Sequence, residues 1–440
     1  MSAHADVVTP APAVEQESGE SLANRRALRN ARIRAIAFLL LAGVAFLWAS
    51  SSFGVTAKFS FWLQQRGGDS ADLVTTVGVL WVAAGLASIL VGVLQLIRGA
   101  SFRWRRWLLL VIAPWVLATL GALINGKTAT MTNVLASSLE AATPITMAAL
   151  AGILSERSGM FNIALEGKML VGAFVAAVAS SLVFLSTNNP LLATLVAVAL
   201  AMLVCGLVGL LLAWLGIRHK VDQIIAGTVI NIGAVGITDV IYLRILQHNT
   251  QFNAPPSVQA MRLPFLADIP VLGPILFEAR PFVYVAYILV IVLTYLIYRT
   301  RWGLRLRASG EKPAAAGTVG INVLAIRYRS LFYAGLIAGL AGSYLSLATS
   351  GSFQMQMTSG KGFIGLAAVI FGAWHPIGAF FAALVFGFAD AIQSLLSILG
   401  VAVPPQLLAS VPYVVTIVVV AGVVGRVRGP AEAGRPYEQG

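Results

Sequence analysis

The sequence predicts an all-α membrane protein that crosses the bilayer about ten to twelve times, with some helices broken or short. Three observations predict it. Of 440 residues, 58% are hydrophobic and 11% are charged, against roughly 25% charged in an ordinary soluble domain, and mean hydropathy is +0.85. The apolar residues form continuous runs of about 20, enough to span the hydrocarbon as helix, rather than the alternation of a transmembrane barrel. The basic residues collect between these runs, mostly on one set of connections. A water-soluble enzyme is excluded, because its surface would need far more polar residues. The same apolar excess excludes a disordered chain.

Taken in order, residues 1–34 read as a disordered, basic cytoplasmic tail ending in Arg25, Arg26, Arg29, Arg32 and Arg34. The apolar run at 35–57 lies too deep and runs too long for a cleaved signal peptide. It is expected to be a first helix with its N-terminus inside. Further spans are predicted near 73–97, 107–124, 134–154, 161–185, 191–217, 221–246, 281–298, 330–350, 362–374, 376–399 and 406–425. The 362–374 segment is short for a crossing and suits a half-helix or re-entrant piece. Residues 35–425 thus form the membrane domain, and an even number of crossings returns 426–440 to the cytoplasm as a tail.

Charge tests this topology. The proposed inner connections hold 22 of the 30 Lys and Arg residues and the outer ones six, the asymmetry of the positive-inside rule. The net charge of +13 therefore reads as topology rather than as a nucleic-acid footprint. Of the two long connections, 247–280 is outside and Pro-rich, and 299–329 is inside, basic and partly Ala-rich. Neither has room for a catalytic domain.

Enzyme signatures are absent. Gly167-Lys168 and Gly360-Lys361 lack the upstream glycine of a phosphate-binding loop, and there is no H-E-x-x-H. Cys205 stands alone in an apolar run, which leaves no disulfide or thiolate metal site and suits a small core residue. His4, His219, His248 and His375 are scattered. The expectation is a transport subunit with no cofactor or metal of its own.

Three blocks carry the chemistry. In the first, Glu140 and Pro144 lie in an apolar span, a polar turn follows at 155–159, and Asn162 and Glu166 are four apart, on one face of a helix. A carboxylate within a span is costly and faces a polar interior by default, so Glu166 is either path-lining or an anchor at a helix end. In the second, Pro313 suits the first position of a short helix and Glu311 its positive end. Ala314, Ala315 and Ala316 give that helix a slim surface, and Gly317 and Gly320 can stop it. It is either a plain loop helix or a docking element. In the third, Gly362, Gly365 and Gly372 allow close helix contact around Phe363, and Pro376 breaks the run. Asp390 follows, and Asn231 and Asp239 add polar groups in the 221–246 span; interhelical hydrogen bonding or a path lining would each use them.

Together these blocks resemble the membrane permease subunit of bacterial ABC importers for nucleosides and simple sugars. That family shows a pattern close to A-T-P…L-S-E-R-S-G-x-x-N-I-x-L-E-G-x-M, met at 142–169. It shows R-A-x-G-E-x-P-x-A-A-x-x-x-G-I-N-V, met at 307–323, and G-x-G-F-I-x-L-A-A-V-I-F-G-x-W-x-P-x-G-A, met at 360–379. The resemblance covers about 107–425. It implies a translocation path for nucleosides, or alternatively for simple sugars or branched-chain amino acids; an ion-coupled secondary transporter is the reading from a different class. It implies a cytoplasmic ABC ATPase subunit that binds ATP and magnesium, a second related permease, and an extracytoplasmic substrate-binding lipoprotein, assembled among lipids of the bacterial plasma membrane. On this view Glu140, Asn162, Glu166, Asn231, Asp239, Phe363 and Asp390 are path candidates. Arg307, Gly310, Glu311, Pro313, Ala314, Ala315 and Gly320 belong to the helix that docks with the ATPase.

Overall fold

The structure, a computed structural model, describes residues 13–62, 70–401, 403, 404, 406, 407, 410, 428–435 and 437. The predicted span at 406–425 falls almost wholly outside the described residues. Among them, nine helices are long and apolar enough to cross a membrane, and two shorter apolar helices, Leu108–Ile124 and Lys361–Phe371, accompany these. The all-α polytopic expectation holds, and the chain divides into two units.

The first unit holds the described residues up to 60, together with 71–130 and 399–401. Its helices are α1 (Ala13–Ser52), α2 (Val77–Arg98) and α3 (Leu108–Ile124). Gly78, Gly85 and Gly92 recur at heptad spacing on α2. A Cβ added there would stand 2.7 Å from the Phe53 ring, 2.9 Å from the Phe46 ring and 3.3 Å from the Ala35 carbonyl, so α2 runs antiparallel to α1. The opposing face of α1 is also small, with Ala31, Ala35, Ala42, Ala45 and Ala49 buried. Within hydrocarbon there is no hydrophobic drive to pair helices, and such close backbone approach supplies the van der Waals contact instead. Trp48, Trp81 and Trp115 pack edge-on, and the Trp115 indole N–H donates to Ser88 Oγ at 3.1 Å.

Two expectations for this region need correction. The 1–34 segment, expected to be disordered, is helical from Ala13, because 13–34 is rich in Ala, Glu, Leu and Arg and holds no proline. The first apolar run does not continue to 57. The helix stops at Ser52, and Thr56–Trp62 forms strand β1 between β2 (Ser70–Thr76) and β3 (Thr128–Thr130). Thr, Phe and Val favour this extended surface; Ala57 and Phe59 are buried, while Lys58 pairs with Asp72 at 2.7 Å.

The second unit holds most of the family-like sequence: α4 (Met131–Arg157), α5 (Leu165–Thr187), α6 (Pro190–Arg218), α7 (Gln223–Ile241), the short α8 (Leu272–Leu276), α9 (Pro281–Arg299), α10 (Arg301–Glu311), α11 (Pro313–Thr318), α12 (Val323–Ser343), α13 (Lys361–Phe371) and α14 (Pro376–Ile398). Helices α7 and α12 each continue through a widened turn, at Tyr242–Leu246 and Tyr344–Ser350. The core centres on α4 and α12. Against α6, a Cβ on Gly209 or Gly335 would lie 2.2 Å from the Leu331 or Cys205 carbonyl, so backbones touch where no side chain fits. Cys205 is a buried core residue as expected, its thiol donating to the Lys168 carbonyl at 3.0 Å.

Boundaries move in two places that matter for function. Helix α5 starts at Leu165 rather than 161, so Asn162 lies in the turn before it and does not share a helix face with Glu166. The Gly159–Ala164 backbone is spent on the turn instead, with the Phe161 amide bound by Gln223 Oε1 at 2.6 Å. Helix α12 starts at Val323 rather than 330, because Asn322 Oδ1 caps the Ala325 amide at 2.9 Å. The predicted 299–329 loop therefore shrinks, and Arg327 becomes a buried helix residue.

Candidate functional site

The short α13 is the element around which a cavity forms. Its first turn leaves backbone N–H groups without helical partners. Glu166, in the first turn of α5, accepts from the Gly360 amide at 2.8 Å and the Gly362 amide at 2.6 Å. Gly362 permits this: a Cβ there would stand 2.6 Å from the Glu166 backbone. From α7, Asn231 Oδ1 accepts from the Gly167 amide at 2.8 Å and Nδ2 donates to the Ile163 carbonyl at 2.9 Å. Glu166 and Asn231 are thus both struts and lining groups.

The cavity between α5, α7 and α13 is about 470 Å3 and is lined by Glu166, Asn231, Phe363, Gln356, Thr358 and Ser359 over an apolar floor of Leu170, Ile232 and Val235. Its size lies within the usual range for small-molecule sites, as does its pattern of a few polar groups on an apolar wall. Asp239 does not line it, but binds the lining residue Gln356 at 3.4 Å.

The remaining path candidates lie elsewhere. Glu140 pairs with Arg280 at 2.6 Å in a second recess of about 430 Å3, bordered by 257–260 and 348–351. Asn162 is fully buried, its Oδ1 accepting from Lys168 Nζ at 2.7 Å, and contributes to neither cavity. Asp390 faces Lys361 at 3.9 Å. Sequence reasoning missed Gln356, Thr358 and Ser359, since the polar stretch between α12 and α13 has no periodic pattern. Among the described residues no cluster of three or more His, Cys, Asp or Glu could hold a metal.

At the end of α4 that carries Arg157, a second constellation assembles. Trp374 Nε1 donates to the buried Glu156 Oε2 at 2.5 Å. Arg157 Nη2 reaches Tyr298 Oη at 3.1 Å and the Trp374 carbonyl at 3.3 Å, and Nη1 lies 3.8 Å from Glu311. These contacts hold Ala373 and Trp374, consecutive non-glycine residues with φ of 55° and 54°, a left-handed pair that costs backbone strain unless its surroundings over-determine it. His375 stacks on Tyr298, and burial, then the Arg157 charge, hold its imidazole pKa below the ordinary value.

The α10–α11 segment packs on this constellation. A Cβ on Gly310 would lie 2.4 Å from the Arg157 carbonyl, and Ser309 Oγ donates to the Ser158 carbonyl at 3.0 Å. Arg307 lies over the Tyr298 ring, 5.2 Å from its centroid. Helix α11 starts at Pro313 as expected, buries Ala316, exposes Ala314 and Ala315, and is followed by a left-handed turn at Gly320 (φ 81°). Glu311 differs from expectation. It closes α10 rather than capping α11, because its carboxylate is drawn to Arg157 and the Ala431 amide.

Residues 134–420 match a family described as "Branched-chain amino acid transport system / permease component". The chain is 39% identical over 308 residues to the guanosine ABC transporter permease protein NupQ of Bacillus subtilis (strain 168), covering 68% of this chain and 94% of that protein. It is 34% identical over 314 residues to the nucleoside ABC transporter permease protein NupC of Lactococcus lactis, covering 70% and 97%. It is 28% identical over 251 residues to the guanosine ABC transporter permease protein NupP of Bacillus subtilis (strain 168), covering 56% and 69%. No solved structure matches.

Proposed function

Because the chain belongs to the branched-chain amino acid transport system permease family, we propose that it forms one half of the nucleoside path of an ATP-driven importer in the bacterial plasma membrane. The substrate class rests on similarity to permeases named for guanosine and for nucleosides along nearly their whole length. The α5–α7–α13 cavity supports it, with Glu166, Asn231 and Gln356 as hydrogen-bonding groups and Phe363 as a ring for a base to stack on.

The observation that carries the coupling half of the reading is the exposed Ala314–Ala315 face on the short α11, which directly follows the α10 that is keyed into the end of α4. With so little side chain, that face allows close backbone approach by a partner groove. We assign the groove to a cytoplasmic ABC ATPase, which binds ATP and magnesium. Nucleotide-driven closure then shifts the permease between inward- and outward-open populations, and it does so only through its differential affinity for the two. The N-terminus and the α10–α11 segment lie inside, in line with the 22 basic residues assigned there. The second recess, beside Glu140 and Arg280, faces an extracytoplasmic substrate-binding lipoprotein. A second related permease completes the path, and similarity to two differently named permeases of one organism supports such a pair.

The test is uptake of labelled guanosine by proteoliposomes holding the full complex, with glucose and leucine as competitors. Uptake that needs the ATPase and yields only to unlabelled nucleosides is expected; competition by glucose or leucine alone would reassign the substrate.

A further inference from the structure

The sequence marks 426–440 only as a tail, yet its described residues lie across the junction of α4, α10, α11 and α12. The Glu432 amide donates to the Gly310 carbonyl at 3.0 Å and the Gly434 amide to the Gly159 carbonyl at 3.2 Å. Gly310 and Gly159 are the two glycines at the contact of α10 with the α4 turn, so the tail is bonded to both sides of that contact. Arg327, 1% exposed on α12, donates Nη1 to the Arg435 carbonyl at 3.1 Å, and its guanidinium lies 5.7 Å from the centroid of the Tyr437 ring. The Tyr437 hydroxyl rests against α11, where a Cβ on Gly317 would come within 2.7 Å of it.

Backbone hydrogen bonds on both sides of a glycine contact mean that α10 cannot slide on α4 without breaking them or carrying the tail along. A guanidinium this deep is costly unless its charge is met. Among the described residues Nε and Nη2 of Arg327 find no hydrogen-bond partner, and its charge is met by the Arg435 carbonyl, the Tyr437 ring and the nearby Glu432 carboxylate, all three on the tail. The tail therefore holds α12 as well as α10 and α11.

We propose that this tail is a clasp that passes displacement of α11 to α4 and α12, with Arg327 and Tyr437 as positioning residues that act through the docking helix. The proposal rests on the reading of α11 as the ATPase contact. Without the clasp, the ATPase still docks and hydrolyses, but its motion is lost in the α10–α11 loop.

The experiment measures ATP hydrolysis and guanosine uptake together in proteoliposomes of the complete complex, for wild type, Tyr437→Ala and Tyr437→Phe. Tyr437→Ala is expected to hydrolyse ATP near the wild-type rate while guanosine moved per ATP falls about tenfold, the scale of a lost coupling network. Tyr437→Phe keeps the ring over Arg327 and is expected to keep the ratio. Glu432→Pro deletes the amide donor to Gly310 together with the carboxylate that lies near Arg327 and pairs with Arg435, and is expected to lower the ratio even if Tyr437→Ala fails to assemble. An unchanged ratio in Tyr437→Ala or Glu432→Pro, or both rates falling in step, overturns the clasp and leaves the importer intact. A wild-type complex that shows no coupling between hydrolysis and uptake removes the importer reading and the clasp with it.

Discussion

Replacing Glu166 probes the strut on which the cavity depends. Its carboxylate takes two amide hydrogen bonds from the start of α13, at 2.8 and 2.6 Å. Hydrogen bonds to a charged group contribute about 1.5–3 kcal/mol each, and a negative charge at a helix N-terminus adds about 0.3–1 kcal/mol. Glu166 is half-buried, so solvent screening brings the total for Glu166→Ala down to about 2–4 kcal/mol. Glu166→Gln keeps one acceptor oxygen but turns an amide NH2 toward the other N–H, for a loss of about 1–2 kcal/mol. At about 1.4 kcal/mol per tenfold, amides at 362–371 are expected to exchange with deuterium about tenfold faster in Glu166→Gln and faster still in Glu166→Ala. Hydrogen exchange by mass spectrometry on the purified protein reads this. Unchanged protection of α13 in both variants, or greater loss in Gln than in Ala, would refute the strut.

Three further outcomes are expected. Ala315→Trp adds bulk on an exposed face of α11, so membrane levels should hold while ATPase copurification and uptake fall by more than about tenfold, the scale of a lost coupling contact; normal copurification would count against the docking role. Trp374→Phe strips the buried Glu156 carboxylate of its indole donor and should lower stability by about 2 kcal/mol, read as a lower midpoint in thermal unfolding. The His375 imidazole has its pKa depressed in the folded state, so the folded protein binds fewer protons than the unfolded chain, and stability is lost as pH falls below about 6.5. His375→Gln should flatten that slope between pH 7.5 and 5.5, and an identical slope would show that another group carries it.

Much of this architecture was legible because apolar runs in a membrane chain are nearly the helices themselves. The half-helix at 361–371 announced itself by length alone. What sequence could not supply was the destination of the polar groups. Glu166 was visible as a costly carboxylate, but its use as a cap on α13 depends on a return of the chain through 351–360 that has no periodicity to read. Asn162 and Glu166 looked like one helix face because their spacing is four, yet the polar turn holds Asn162 outside the helix and turns it to Lys168. Glu140 is neutralised by Arg280, 140 residues away, and local pattern does not carry such a pairing. The strand at Thr56–Trp62 was hidden by an apolar run in which helix and strand look alike.

On the proposed function, a separate ATPase drives nucleoside through this chain by way of α11. Guanosine uptake into proteoliposomes tests it most directly, with and without the ATPase subunit and ATP. Accumulation only when permeases, ATPase and ATP are all present is the predicted result; accumulation by this chain alone under a proton gradient would contradict it.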